Sequence, residues 1–365
     1  MVLSGSINLR QAWQAVDLLG LNPARTDIFL HPLDRREIVP VVLDLNDVPG
    51  SRRDVLREGA KRMAVGCMMA TRAIVFVATA ADAKFVASVL DEFELLCAVP
   101  FYRRLDLEEE KDDGEVEDEE AAETGRAKAL SRWRLSTTRH QVGVLVATVL
   151  AAHGLDDEVV DFTGHLDQRG DPRTLSQELG RACRKWQRSY GNWLARHPLL
   201  LTSAAFLVDF SDGGAAGAHR DMVALVEAGG GGCRRAHLLR LLGSPLVGEC
   251  SGCDGCNPEM VPFPSTSYKL VDATAAACVL IRQVLESRHQ RAWYVQLVSE
   301  GAWRTGCSSR AEANALFLRL YTTRVLDITT QEPAPGARAL CVSVSPEQGA
   351  KVLNGEIDVL VWAME

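Results

Sequence analysis

Four cysteines in this chain have the spacing of a metal knot. Cys250, Cys253 and Cys256 fall within Glu249-Cys-Ser-Gly-Cys-Asp-Gly-Cys256, and Cys233 lies upstream. A Cys-x₂-Cys-x₂-Cys turn brings three sulfurs to one point, and Zn²⁺ takes four soft ligands in a tetrahedron. The stretch Cys233-Arg-Arg-Ala-His-Leu-Leu-Arg-Leu-Leu-Gly243 reads as a helix that delivers the fourth sulfur. Unrelated core thiols are the alternative, because free Cys packs as a small hydrophobe. The spacing favours one zinc ion on Cys233, Cys250, Cys253 and Cys256.

The elements that must position this knot are legible from apolar patterning. Asn8–Leu19 suits a helix ended by Gly20 and Pro23, Thr26–Leu30 and Ile38–Leu45 read as strands, and Ser51–Met69 as a helix. Ala73–Ala78 and Val142–Ala147 are continuous apolar runs, as in strands buried on both faces of a parallel sheet. Helices over Asp82–Phe93, Gly125–Arg134 and Thr174–Arg188, with strands at Val159–His165 and Ala205–Phe210, complete an alternating pattern. Such alternation predicts one α/β lobe with helices on both faces of the sheet.

Bulk properties narrow the partners. The 365 residues allow two or three domains, and no run approaches the roughly 18 apolar residues of a membrane span. The first residues lack the basic-then-apolar pattern of a signal peptide, and ten cysteines then point to a reducing compartment and metal binding. Between Asp106 and Glu123 lie twelve acids and one Lys, a net of −11, in a chain whose total is −8. The remainder is therefore +3, and the acidic block is expected to be a solvated, disordered loop inside the lobe. With it set aside, charge does not exclude a nucleic-acid partner.

The cysteine segment resembles the zinc subdomain of RecQ-type DNA helicases, with matching separations between all four cysteines. Other landmarks of that family follow in family order. Leu3-Ser-Gly-Ser6 stands in place of the third helicase motif, and Leu18-Leu-Gly-Leu21 with Asp34-Arg35 resembles its sequel. Ile74–Val77 occupies the fourth motif, and Val146-Ala-Thr148 with Gly154-Leu-Asp156 the fifth. Gln177-Glu-Leu-Gly-Arg-Ala-Cys-Arg184 resembles the sixth.

The resemblance implies an ATP-dependent 3′–5′ DNA helicase acting in recombination and repair, of which this chain is the C-terminal half. Such enzymes hydrolyse ATP between two RecA-like lobes, and the second lobe supplies arginines to the transferring phosphoryl group. Arg181 and Arg184 are the implied catalytic arginines, with Gln177 coupling nucleotide to DNA. Gly154, Asp156 and Arg184 would face the nucleotide, and Thr148 would meet a DNA phosphate. The bland alternative for the two arginines is surface ion pairing.

No Gly-x₄-Gly-Lys-Ser/Thr phosphate loop occurs in the sequence, so ATP and Mg²⁺ are expected only with a first lobe supplied in trans. Ala151-Ala-His153, Cys183 and Lys185 depart from the family pattern, and Trp186–Leu200 reads as an insertion relative to it.

Beyond Pro264, helices over Asp272–Arg288 and Ser309–Thr322 precede strands at Arg324–Thr329 and Ala339–Val344, a short helix from Ser345 and the apolar Ile357–Trp362. Cys278–Arg338 carries eight Arg and five acids. Helices followed by a hairpin resemble the family's winged helix; a generic α+β brace for the zinc module is the alternative. The expected class is thus α/β: a RecA-like lobe over 1–210, a helical zinc subdomain over 211–262 and a winged-helix-like domain over 263–365. Expected partners are single-stranded or junction DNA and no membrane, in the nucleus, or the cytoplasm of a prokaryote. The rival reading from another class is a non-catalytic DNA-binding zinc protein derived from a helicase.

Overall fold

Apolar strands followed by capped helices build a parallel sheet in the computed structural model. The structure describes residues 9–27, 33–102, 119–136, 141–148, 159–167, 172–182, 191–200, 213–227, 232–244, 246, 248–250, 252–257, 268–287, 291–293, 297, 306–334 and 337–364. Six strands, β1 (Pro40–Asp44), β2 (Arg72–Val77), β3 (Leu96–Phe101), β4 (Val142–Thr148), β5 (Phe162–His165) and β6 (Gly191–Arg196), lie in the order β1-β6-β5-β2-β4-β3. Every pairing in it is parallel. This is the expected α/β class, with a sheet consistent with a RecA-like lobe.

Helices α1 (Leu9–Leu18), α2 (Arg52–Met69), α3 (Ala80–Leu90), α4 (Glu119–Leu135), α5 (Pro172–Leu179), α6 (Gly213–Glu227) and α7 (Arg234–Leu241) accompany the sheet. Ser51 with Asp54 starts α2, and Thr79 with Asp82 starts α3, each as a reciprocal capping box. Alternate residues of β2 serve opposite faces. Ala73, Val75 and Val77 join a cluster with Met63 of α2 and Val86 of α3, while Ile74 and Phe76 pack in one with Trp133 of α4. On that second face Val42 and Leu194 meet Leu175, Leu179, Met222 and Leu225 of α5 and α6. Gly66 of α2 is needed for close approach: a Cβ there would lie 2.4 Å from Phe162 Cε2.

Several expectations are corrected. Gly191–Arg196, inside the segment expected to be an insertion, is a fully buried strand between β1 and β5. Its pattern is masked in sequence because Asn192 and Arg196 are polar yet buried. Asn192 donates to Thr163 Oγ1 at 2.5 Å and its Oδ1 accepts from Val39 N at 3.1 Å, while Arg196 pairs with Asp44 at 3.3 Å. The strand expected at Ala205–Phe210 lies outside the described residues. The acidic block is not wholly loop: Glu119, Glu120 and Glu123 belong to α4, which begins at Glu119. Helix α5 stops at Leu179, nine residues before the expected Arg188. β3 was not foreseen; its Pro100 fits because β3 is an edge strand.

The C-terminal part holds β7 (Tyr268–Asp272), α8 (Thr274–Glu286), β8 (Arg291–Trp293), α9 (Arg310–Thr322), β9 (Leu326–Ala334), β10 (Ala337–Val344), α10 (Pro346–Leu353) and β11 (Leu360–Met364). β8, β10 and β9 form an antiparallel sheet, and β11 pairs with β7. Helix α9 is buried almost all round, as an apolar helix at the centre of a module must be. Together with the start of β9 it also meets the rest of the chain. His219 of α6 bonds Tyr321 at 2.8 Å, Arg220 pairs with Asp327 at 2.6 Å, and Asn314 donates to Asn46 O at 2.8 Å. No helix among the described residues is long and apolar enough to cross a membrane.

His197, just after β6, sits in that junction. Its Nδ1 accepts the Leu199 N–H at 3.0 Å, and the Asn314 amide lies 3.3 Å from its Nε2. Burial pushes its pKa down to about 4. The unfolded imidazole titrates near 6.5, so its contribution is present above that pH and lost as pH falls towards 4, on the order of 3 kcal/mol in all. Buried Glu227, its pKa raised by burial, acts with the opposite sign, so the comparison is with a variant. Replacing His197 by Gln should flatten the fall in Tm between pH 7 and pH 5; an unchanged fall would mean that the imidazole is not held neutral.

Candidate metal centre and carboxyl edge

Cys233 is the N-cap of α7, and its Sγ accepts the Ala236 N–H at 3.2 Å. Burial pushes the Cys233 thiol's pKa up, while that N–H favours the thiolate form. Cys250, Cys253 and Cys256 come from the turn that follows, and the four sulfurs lie within 4.8 Å of one another. The Cys250 and Cys253 sulfurs are 3.7 Å apart. Bonds of about 2.3 Å to a tetrahedral Zn²⁺ would set neighbouring sulfurs about 3.8 Å apart, so the donors fit such an ion. With all four as thiolates on the ion, no open position would remain, which would make the site one for holding structure together. Gly255 permits the convergence, since a Cβ there would stand 2.2 Å from Gly232 O.

The knot is fastened to the sheet by the residues around its ligands. Asp254 Oδ2 accepts the Val42 N–H of β1 at 2.9 Å, satisfying a donor that an edge strand would otherwise leave open. Asp254 Oδ1 accepts from Arg234 Nε at 2.5 Å and from its neighbour Gly255 N at 2.9 Å. Arg234 Nη1 in turn caps the last carbonyls of α6, Leu225 at 2.9 Å and Val226 at 3.1 Å.

Arg235 works in the opposite direction. Its guanidinium donates to Asp34 Oδ1 and Arg35 O, both at 2.8 Å, and to Ile38 O at 2.5 Å. Arg35 then reaches the end of α5, donating to Gly180 O at 3.1 Å and Ala182 O at 3.2 Å. Those carbonyls flank Arg181. A continuous series of charged hydrogen bonds thus runs from the cysteine knot to the turn that carries the expected catalytic arginine.

The other expected residues are distributed as follows. Gln177 is exposed on α5, and Arg181 is half-buried in the turn after it. Thr148 ends β4 at the carboxyl edge of the sheet and is fully buried. Ala182 and Ala147 share one buried cluster, which places the α5 turn and the end of β4 on the same side of the sheet. Gly154, Asp156 and Arg184 lie outside the described residues, as do Leu3–Ser6.

Sequence reasoning missed the ion pairs at this edge. Arg52 holds Asp82 and Asp167 at 2.8 Å each, and Asp167 also accepts the Ala78 N–H at 3.2 Å. His165 and Glu178 of α5, both buried, lie 3.0 Å apart, with His165 stacked on Phe76. The Cys-Asp-Gly-Cys order was the signal that could have identified Asp254; isolated acids at 82 and 167 carry none.

No protein-family model matches this chain, and no curated protein matches it. Among solved structures it is similar to S. cerevisiae Dbp5 bound to RNA and ADP BeF3, at 17% identity over 56% of this chain and 47% of that one, TM-score 0.38. The DEAD-box helicase Mss116 bound to ssRNA and UDP-BeF gives 16% over 53% of this chain and 34% of that one, TM-score 0.37. The E. coli DEAD-box protein SrmB bound to regulator of ribonuclease activity A gives 20% over 50% of this chain and 88% of that one, TM-score 0.30. The chain spans less than half the length of the first two.

The knot's fastening is open to test. Replacing Asp254 by Ala should weaken Zn²⁺ or Co²⁺ binding about 10- to 100-fold, as loss of a residue that orients ligands does. A chelator titration measures it, and unaltered affinity would remove Asp254 from this role.

Proposed function

We propose that the chain is the nucleic-acid-gripping part of a RecQ-type 3′–5′ DNA helicase: a second motor lobe, a zinc module and a winged-helix-like module, divided near residues 210 and 262. The observation that carries this reading is the convergence of Cys233, Cys250, Cys253 and Cys256 on one point of a parallel-sheet lobe. A solitary zinc finger would need no such lobe, and a solitary nucleotide-binding lobe no such knot. Zinc supplies folding energy here rather than reactivity.

In this reading Arg181, held by the Arg35 bonds to its neighbours' carbonyls, meets phosphoryl oxygens together with Arg184 when a first lobe brings ATP and Mg²⁺. On the same kinship Gln177 couples that event to DNA, and Gly154, Asp156 and Thr148 take the nucleotide and strand roles the resemblance implies, although Thr148 is buried in the chain by itself. The β9–β10 hairpin takes the place of the wing. Work in recombination and repair, in a nucleus or a prokaryotic cytoplasm, follows from the same kinship. The sequence contains no phosphate-binding Gly-Lys loop, which favours as a second reading a DNA-binding zinc protein without turnover, or a partner that completes a separate first lobe.

Three measurements on the purified chain decide between these. Elemental analysis should give one zinc per chain, lost on replacing Cys253. Single-stranded or junction DNA should bind with an affinity that falls steeply with salt. ATP turnover should be absent alone and appear only with a first lobe in trans. A folded, metal-free chain, or preference for RNA over DNA, would contradict the leading reading; turnover by the isolated chain, abolished by Arg184→Ala, would contradict the dependence on a second lobe.

A further inference from the structure

Helix α2 carries five cations, and the structure divides them into two kinds. Arg52 is neutralised by Asp82 and Asp167, and Arg62 by Glu58 and Asp47. Arg53, Arg57 and Lys61, exposed at successive four-residue steps, have no carboxylate at ion-pair distance among the described residues. The same holds for exposed Lys84 on α3. The two acids on their own helix are engaged elsewhere, Asp54 by Ser51 in the capping box and Glu58 by Arg62, with Arg57 close enough to Asp54 to help hold its pKa down but not at ion-pair distance.

Arg53, Arg57 and Lys84 are nonetheless held in place. The Arg53 guanidinium lies 4.5 Å from the centroid of the Phe85 ring and that of Arg57 5.4 Å, while Lys84 Nζ is 5.2 Å from the ring of Tyr102. Two arginines four apart on a helix repel, and sharing one aromatic ring recovers only part of that cost. What results is a pair of ordered guanidiniums whose donors are open, beside two ammonium groups. Planar forks of this sort pair with phosphate oxygens two at a time.

The position narrows the partner. In a parallel sheet, helices that follow strands begin at the carboxyl edge, so Arg53 near the start of α2 and Lys84 near the start of α3 stand at that edge. Ligands of open parallel sheets bind there. We infer that Arg53, Arg57, Lys61 and Lys84 form a phosphate-binding stripe that carries a nucleic-acid strand from the carboxyl edge down the α2–α3 face. This inference rests on the nucleic-acid reading above and assigns that reading a surface none of its motif residues occupies.

Binding of a labelled single-stranded oligonucleotide to the full chain is measured across a salt series for the parent, Arg53→Glu/Arg57→Glu and Arg53→Lys/Arg57→Lys. The Glu pair should lose about tenfold or more in affinity, and the salt slope should fall by about 1.4, the share of two phosphate contacts on a single strand. The Lys pair should retain most of the binding, and equal Tm values would show that all three chains fold. A parent that binds while the Glu pair keeps its affinity and slope overturns the stripe but leaves the nucleic-acid reading standing. A parent that binds no oligonucleotide overturns both. Retention of polyglutamate in preference to the oligonucleotide, lost in the Glu pair, overturns the nucleic-acid assignment in favour of an acidic protein.

Discussion

Three consecutive residues, Cys233, Arg234 and Arg235, hold the parts of this molecule together. The cysteine gives the knot its fourth sulfur, and the two arginines fix the knot to everything around it. Arg234 joins Asp254, the end of α6 and thereby the edge of β1; Arg235 joins the segment over 34–38 and, through Arg35, the end of α5. Both guanidiniums are buried, where breaking a pair by removing one partner costs about 3–5 kcal/mol. A knot that oriented these arginines wrongly would leave two charges and a strand edge unsatisfied at once.

Helix α6 extends the same logic to the C-terminal part. One of its faces closes the sheet with Met222, Leu225 and Val226. Its other contacts, His219 to Tyr321, Arg220 to Asp327 and Glu227 to Arg319, engage α9 and the start of β9. The cysteine knot, the arginine turn and the C-terminal sheet therefore all lean on a single helix. The cysteine cluster and the arginines beside it thus tie the sheet edge, the α5 turn and the C-terminal part into one connected body.

What could be read from the sequence followed from how strongly each local signal is expressed. Ala73–Ala78 and Val142–Ala147 announced central strands because both their faces are buried, and the Cys-x₂-Cys-x₂-Cys turn announced the convergence of sulfurs. The strand Gly191–Arg196 was hidden because its alternate positions are Asn192, Leu194 and Arg196, and buried partners such as Thr163, the Val39 N–H and Asp44 make that polarity tolerable. β3 was hidden by Pro100, permissible only at an edge. The start of α4 was hidden because a run of acids reads, by charge alone, as a solvated loop. Of the candidate site, the ligands were legible but their fastening was not. Arg234, Arg235 and Asp254 find partners some 20 to 200 residues away, and no local pattern encodes that.

The central claim is that the metal knot positions both the sheet edge and the arginine turn. Hydrogen exchange of backbone amides, followed with Zn²⁺ bound and after chelation, tests it directly. The account requires Val42 and the amides over 180–182 to lose protection together when the metal is removed, while those of β2 and β4 keep theirs. Unchanged protection at Val42 and at the α5 turn in the chelated chain would contradict it.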